Sequence, residues 1–151
     1  MEEIRMNCLL KQIKAALEQY ERSNPQEMDM TIGQCIMLNY LLNQDSRDLY
    51  ATDIHVIFGI SKATVSTILK SLKKKGYLLM EEDMQDDRRK RLVLTEKAYE
   101  MQQNVEEALR KRGEDMCRGI SRQELEMTEQ VLCRMLLNLR NKNSENKEEP
   151  I

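Results

Sequence analysis

From Ser61 to Lys75 the chain reads Ser-Lys-Ala-Thr-Val-Ser-Thr-Ile-Leu-Lys-Ser-Leu-Lys-Lys-Lys, with five lysines and no carboxylate. At helical spacing Val65, Leu69 and Leu72 share one face, which leaves Ser61, Lys62, Ala63, Ser66, Thr67 and Lys70 on the other. Small side chains permit close approach, while hydroxyls and ammonium groups donate to phosphate oxygens and base edges. Such a face suits the major groove of double-stranded DNA. Further on, Arg88, Arg89, Lys90 and Arg91 follow one another, a run suited to an adjacent minor groove and its phosphates. Residues 61–91 hold nine Lys and Arg against five Asp and Glu, a local charge of +4 in a chain whose net charge is −2. A chain acidic overall and basic on one edge is expected to bind DNA through that edge, and strongly so only at low salt.

Those residues need elements to hold them. Apolar positions Met6, Leu9, Leu10, Ile13, Ala16, Leu17 and Tyr20 predict an amphipathic helix over 4–22, ended by Ser23-Asn24-Pro25. Thr31-x-x-Gln34 is a capping box that opens a second helix. A polar loop spans 43–48, and a short apolar helix over 51–58 stops at Gly59, which is expected in a left-handed conformation. Ser61 caps the helix 61–75, and Lys73-Lys74-Lys75-Gly76 finishes it with cations at the negative dipole end. Tyr77–Met80 and Arg91–Leu94 read as two short strands around the charged segment 81–90, a β-hairpin. Thr95 starts a long helix to about Arg112, which Gly113 is expected to kink or interrupt, and Ser121-x-x-Glu124 opens a final helix over 121–140. Residues 141–151 are polar and predicted to fray.

Composition narrows the function classes. The chain has 151 residues, of which 40% are apolar and 33% charged, and only five are Gly and two Pro, so collagen-like, low-complexity and wholly disordered classes are excluded. No apolar run approaches the ~20 residues of a bilayer-spanning helix, and no signal-peptide pattern opens the sequence, so no membrane partner and a cytoplasmic location are expected. One histidine, His55, and the lack of a P-loop, G-x-S-x-G or H-E-x-x-H leave enzymatic chemistry without its usual players. Cys8, Cys35, Cys117 and Cys133 are scattered, which favours reduced structural thiols over a metal site, and no cofactor is expected. Two rivals stay open: a thiol-based redox-sensing regulator using Cys8 or Cys35, and a winged-helix module or anti-repressor that binds protein instead of DNA.

The order of parts, two helices with a Gly turn and then a charged hairpin, is that of a winged helix-turn-helix. Asp53 to Ser66, followed by Leu69, Leu72 and Gly76-Tyr77-Leu78, resembles the helix-turn-helix of bacterial MarR-type regulators. Asp86-Asp87-Arg88-Arg89-Lys90-Arg91-Leu92-Val93-Leu94-Thr95 is similar to that family's wing signature D-x-R-x-K-x-L-x-L-T, and Thr31-x-x-Gln34 also fits. The resemblance covers about residues 5–140. It implies a ligand-responsive repressor acting as a homodimer on a pseudo-palindromic operator, with Asp86 bracing the hairpin, Arg88 in the minor groove and helix 61–75 in the major groove. It also implies a crevice for a small apolar or phenolic effector. The expected organisation is an N-terminal dimerisation helix (1–30), a winged DNA-binding domain (31–95), C-terminal dimerisation helices (96–140) and a flexible tail (141–151). Independently of any family, helices 4–22 and 121–140 carry more apolar positions than one small winged domain can cover, which also calls for a second copy. His55 departs from the pattern, because a small residue usually stands four before the turn glycine; a packed structural imidazole is the expectation. Val56 and Ile57 are more apolar than a surface helix requires, and the eleven methionines suit irregular gaps between helices.

Overall fold

The computed structural model describes residues 1–25, 28–44, 48–86 and 88–148. Their elements run α1 (Glu2–Ser23), α2 (Ile32–Leu42), β1 (Leu49–Tyr50), α3 (Ala51–Phe58), α4 (Lys62–Lys74), β2 (Leu78–Glu82), β3 (Lys90–Leu94), α5 (Glu96–Glu100), α6 (Gln102–Met116) and α7 (Arg122–Glu148). The fold is mainly helical with a small antiparallel sheet, as the sequence predicts. The chain divides into two compact units, Met1–Arg110 and Lys111–Ile151. No helix among the described residues is long and apolar enough to cross a membrane.

Helix boundaries follow their caps. The Asn24 N–H and side-chain amide both donate to the Tyr20 carbonyl and close α1 before Pro25. At α2 the Thr31 hydroxyl accepts the Gln34 N–H while the Gln34 side chain accepts the Thr31 N–H, so the predicted capping box is complete. The Ser121–Glu124 box also forms, and the hydrogen bonds that Glu124 accepts from Ser121 hold its carboxyl below the usual carboxylate range.

Four expectations are corrected. The sheet has three strands in the order β1-β3-β2, because Leu49 and Tyr50 pair with Leu92 and Arg91. Two residues are too short for alternation to reveal. The long helix after Thr95 is interrupted at Met101, whose N–H is shared between the Lys97 and Ala98 carbonyls. Gly113 does not interrupt α6, which continues to Met116, since one helical Gly costs only about 1 kcal/mol; the chain turns instead at Gly119, shortly before the Ser121 cap. Finally, α7 continues through the polar residues to Glu148, because extending an existing helix is far easier than nucleating one. Residues 149–151 of the expected tail, 45–47 of the expected loop, and Asp87 lie outside the described residues.

In the first unit, Cys35, Leu38 and Leu41 of α2, Ile54 of α3, Val65, Leu69 and Leu72 of α4, and Leu78 and Leu92 of the sheet form one buried cluster with Ala98 and Val105. α4 therefore lies with its predicted apolar face inward. A polar linkage runs beside this cluster. Gln34, 9% exposed, donates through Nε2 to the Ser71 hydroxyl at 2.9 Å and accepts through Oε1 from Lys75 Nζ at 2.9 Å. One side chain thus caps α2 and grips the last turn of α4. Gln34→Ala leaves Ser71, Lys75 and the Thr31 N–H short of partners, and is expected to lower the unfolding free energy by roughly 1–3 kcal/mol. Urea unfolding should show a lower midpoint at an unchanged m-value; an unaltered midpoint would mean that solvent replaces these bonds.

Candidate nucleic-acid interface

The α3–α4 turn is built by one glycine. Gly59 has φ 61°, its N–H donates to the Val56 carbonyl, and the Ile60 N–H reaches back to the His55 carbonyl. This pair of bonds closes α3 and needs a left-handed residue at position 59. Ser61 then caps α4, its hydroxyl accepting the Thr64 N–H at 3.1 Å and lying 2.8 Å from the Thr64 hydroxyl.

The end of α4 repeats the device. Gly76 has φ 84°, its N–H donates to the Lys73 carbonyl, and the Tyr77 N–H donates to the Leu72 carbonyl. Two donors from the start of α5 occupy further carbonyls there: the Thr95 hydroxyl donates to Gly76 at 2.6 Å and Lys97 Nζ to Lys75 at 2.5 Å. Lys97 also lies 4.6 Å from the centre of the Tyr77 ring. Thr95, the last residue of the wing motif, is therefore a clamp on the end of α4 as well as the N-cap of α5.

Position sorts the outer face of α4. Lys62, Ala63, Thr67 and Lys70 are exposed, and Ser66 is half-buried. Ala63, Thr67, Lys70 and the exposed Lys74 fall on a single stripe opposite Val65, Leu69 and Leu72. The Thr67 hydroxyl donates to the Ala63 carbonyl at 3.0 Å, which directs its lone pairs outward. Sequence reasoning left Lys74 within a run of three lysines, and its i+4 relation to Lys70 is the signal that separates it. Lys75 faces differently, held by Gln34 and by Asp29 at 3.7 Å.

In the wing, β2 and β3 pair from Leu78↔Leu94 to Glu82↔Lys90. Asp86 closes the loop: its carboxylate accepts the Arg88 N–H at 3.0 Å and its carbonyl accepts the Arg89 N–H. The four consecutive cations do not share one environment. Arg88 and Lys90 are exposed, whereas Arg89 is half-buried, with its guanidinium carbon 3.6 Å from the centre of the Tyr50 ring and a 3.6 Å ion pair to Asp53. Arg91 pairs with Glu81 at 2.6 Å and Asp48 at 3.5 Å, which raises its already high pKa. In the sequence the four form one basic run. The register of the hairpin and of β1 divides them, setting Arg91 opposite Glu81 and Tyr50 and sending Arg89 toward β1 and α3.

His55 is half-buried and lines a cleft of about 190 Å³ with Thr52, Lys62, Ser66 and Met80, so its imidazole is only partly packed. Val56 and Ile57 are 67% and 47% exposed. Among the described residues no cluster of His, Cys, Asp and Glu could hold a metal ion. Cys35 is fully buried and burial pushes its thiol pKa up, the reverse of what a reactive thiolate needs.

The MarR family model matches residues 28–90, the segment that contains α2, the helix-turn-helix and most of the wing. Among solved structures, the S. aureus MepR–DNA complex is 24% identical, with a TM-score of 0.77 over 87% of this chain and 96% of that one. The transcriptional regulator SlyA is 20% identical, with a TM-score of 0.75 over 91% and 95%. The heme sensor protein PefR from Streptococcus agalactiae, in complex with heme, is 25% identical, with a TM-score of 0.57 over 89% and 90%. No curated protein sequence matches the chain.

The geometry gives Ser61 a structural task at the mouth of α4. Ser61→Ala is expected to cost about 1 kcal/mol of stability by removing the cap, seen as a lower thermal midpoint without any ligand present, whereas Ser61→Asp, which also caps, should retain the midpoint. Equal midpoints for Ser61→Ala and the parent would remove the capping role.

Proposed function

We propose that this chain is a MarR-family transcriptional regulator that binds a pseudo-palindromic DNA operator as a homodimer and acts as a ligand-responsive repressor, a reading supported by the match of residues 28–90 to the MarR family model and by the likeness of the fold to solved transcriptional regulators. The observation that carries the reading is the acid-free outer stripe of α4, flanked by the exposed Arg88 and Lys90 of the wing. In this reading α4 enters the major groove, where Lys62, Ala63, Ser66, Thr67 and Lys70 meet phosphates and base edges. Arg88, on a loop closed by Asp86, reaches the adjacent minor groove, and Lys90 meets the phosphates that border it.

The dimer rests on unpartnered apolar surface. α1 buries no residue, and Ile4, Leu9, Leu10 and Ile13 are 66%, 48%, 41% and 46% exposed. On α7, Leu132, Leu136 and Leu139 are likewise exposed at a spacing of four and three. Two helices of this kind in one chain are the expected constituents of an intertwined interface between copies. The effector, a small apolar or phenolic molecule, belongs to the same reading; its support is that proteins of this fold include one solved with a bound small molecule, the heme complex of PefR.

Selection from random duplex DNA by the purified protein tests the proposal. An enriched inverted repeat with half-sites about one helical turn apart is expected, and the absence of any enriched sequence would overturn it. Arg88→Ala should weaken binding to every duplex and flatten the dependence of log K on log[salt] by about 1 for each phosphate that the guanidinium no longer neutralises. A slope equal to that of the parent would remove the wing from the interface. Sedimentation at micromolar concentration should give twice the 17.8 kDa chain mass; a monomer there would sink the dimer.

A further inference from the structure

Of the four consecutive cations of the wing, the one standing between the two exposed side chains Arg88 and Lys90 is fixed at both its backbone and its side chain. The Arg89 N–H donates to the Asp86 carbonyl and its own carbonyl accepts the Asp83 N–H at 3.1 Å, so its peptide groups close the base of the loop. Its guanidinium then leaves the hairpin, lies 3.6 Å over the Tyr50 ring and meets Asp53 at 3.6 Å. Tyr50 ends β1, and Asp53 stands in the first turn of α3, the helix that precedes the recognition helix. The ion pair alone is weak, since the two side chains are 40% and 55% exposed and solvent screens them. The planar stack on Tyr50 adds a directional contact that arginine makes and a plain ammonium makes less well.

We propose that Arg89 is a positioning residue, a strap that ties the wing to the β1–α3 corner and thereby sets the angle between Arg88 and helix α4, and that it does not itself contact DNA. The strap also masks the carboxylate of Asp53, which unpaired would repel phosphates near the start of the helix-turn-helix. This inference rests on the DNA-binding reading above, although the strap itself exists without DNA. A cation placed on phosphate and a cation placed on a neighbouring ring differ in two measurable ways. The first contributes to counterion release and adds independently to other contacts; the second leaves the salt dependence alone and is coupled to its ring.

The test compares Arg89→Gln, Tyr50→Leu and the double variant in the full chain, with the selected duplex titrated over a range of salt. Arg89→Gln and Tyr50→Leu are each expected to weaken binding by about 5- to 10-fold, with the double variant no weaker than either single one, as directly coupled pairs behave. The salt slope should stay that of the parent, and Arg89→Lys should restore only part of the affinity. A slope reduced by about 1, with additive effects in the double variant, would place Arg89 on phosphate and overturn the proposal. Amide hydrogen exchange without DNA provides the second measurement: the Asp83 and Arg89 amides should exchange faster in both single variants, and unchanged exchange would overturn the strap. If the parent protein selects no duplex, the regulatory reading falls, and the exchange experiment still decides whether the strap exists.

Discussion

The candidate interface depends on how one helix end is finished. A helix leaves its last carbonyls without partners, and the last turn of α4 lies close to the core, where such groups are costly. Here they are satisfied by a left-handed Gly76, by the Thr95 hydroxyl and by Lys97, while Gln34 holds Ser71 and Lys75 from the side of α2. Two elements, α2 and α5, therefore converge on residues 71–77. The outer face of α4 is presented at a fixed angle because its inner end is immobilised by bonds that come from α2 and α5, and the buried Val65, Leu69 and Leu72 prevent rotation about the helix axis. In the proposed reading, electrostatic attraction to a duplex requires only charge, but reading sequence would require that the side chains arrive in register, and the closed helix end would supply that register.

Much of this frame was legible because each boundary rests on a local signal. Gly59, Gly76, Ser61 and Thr31-x-x-Gln34 announce their turns and caps through residue type alone, and all of them stand where that signal puts them. The inward face of α4 was equally legible from periodicity. What could not be read were features set by distant partners. β1 exists because Leu49 and Tyr50 lie beside β3, and nothing in two residues reports that. The break at Met101 is a shared hydrogen bond inside a sequence of ordinary helix formers. Continuation of α7 to Glu148 reverses the usual inference from a fading apolar periodicity, since periodicity reports packing and not helicity.

The candidate site shows the same division. Residue types indicated the chemistry of a face suited to an anion, yet a count of cations does not say which of them also pair within the fold. Lys75 is directed to Gln34 and Asp29, Arg89 to Tyr50 and Asp53, and Arg91 to Glu81 and Asp48. Three of the nine basic side chains in residues 61–91 thus have partners within the fold. Local sequence carries no sign of this. The partners of Lys75 lie on and before α2, and those of the two arginines, Glu81 apart, belong to the corner formed by residues 48–53, which only the sheet brings near. Charge runs in hairpins are best divided by which strand face they occupy before they are assigned to a ligand.

A 22-residue helix without one buried side chain has a thermodynamic corollary. In the proposed assembly α1 acquires its apolar surroundings only when another chain arrives, so ordering of this segment and association become a single linked equilibrium. At chain concentrations below the dimer dissociation constant, the amount of competent reader grows with the square of the number of chains, and the cell's response to synthesis or dilution of this protein is correspondingly steep. A regulator built in this way carries a concentration threshold in its first helix, set by how much hydrocarbon Ile4, Leu9, Leu10 and Ile13 withdraw from water and adjustable there without touching the surface that reads the duplex.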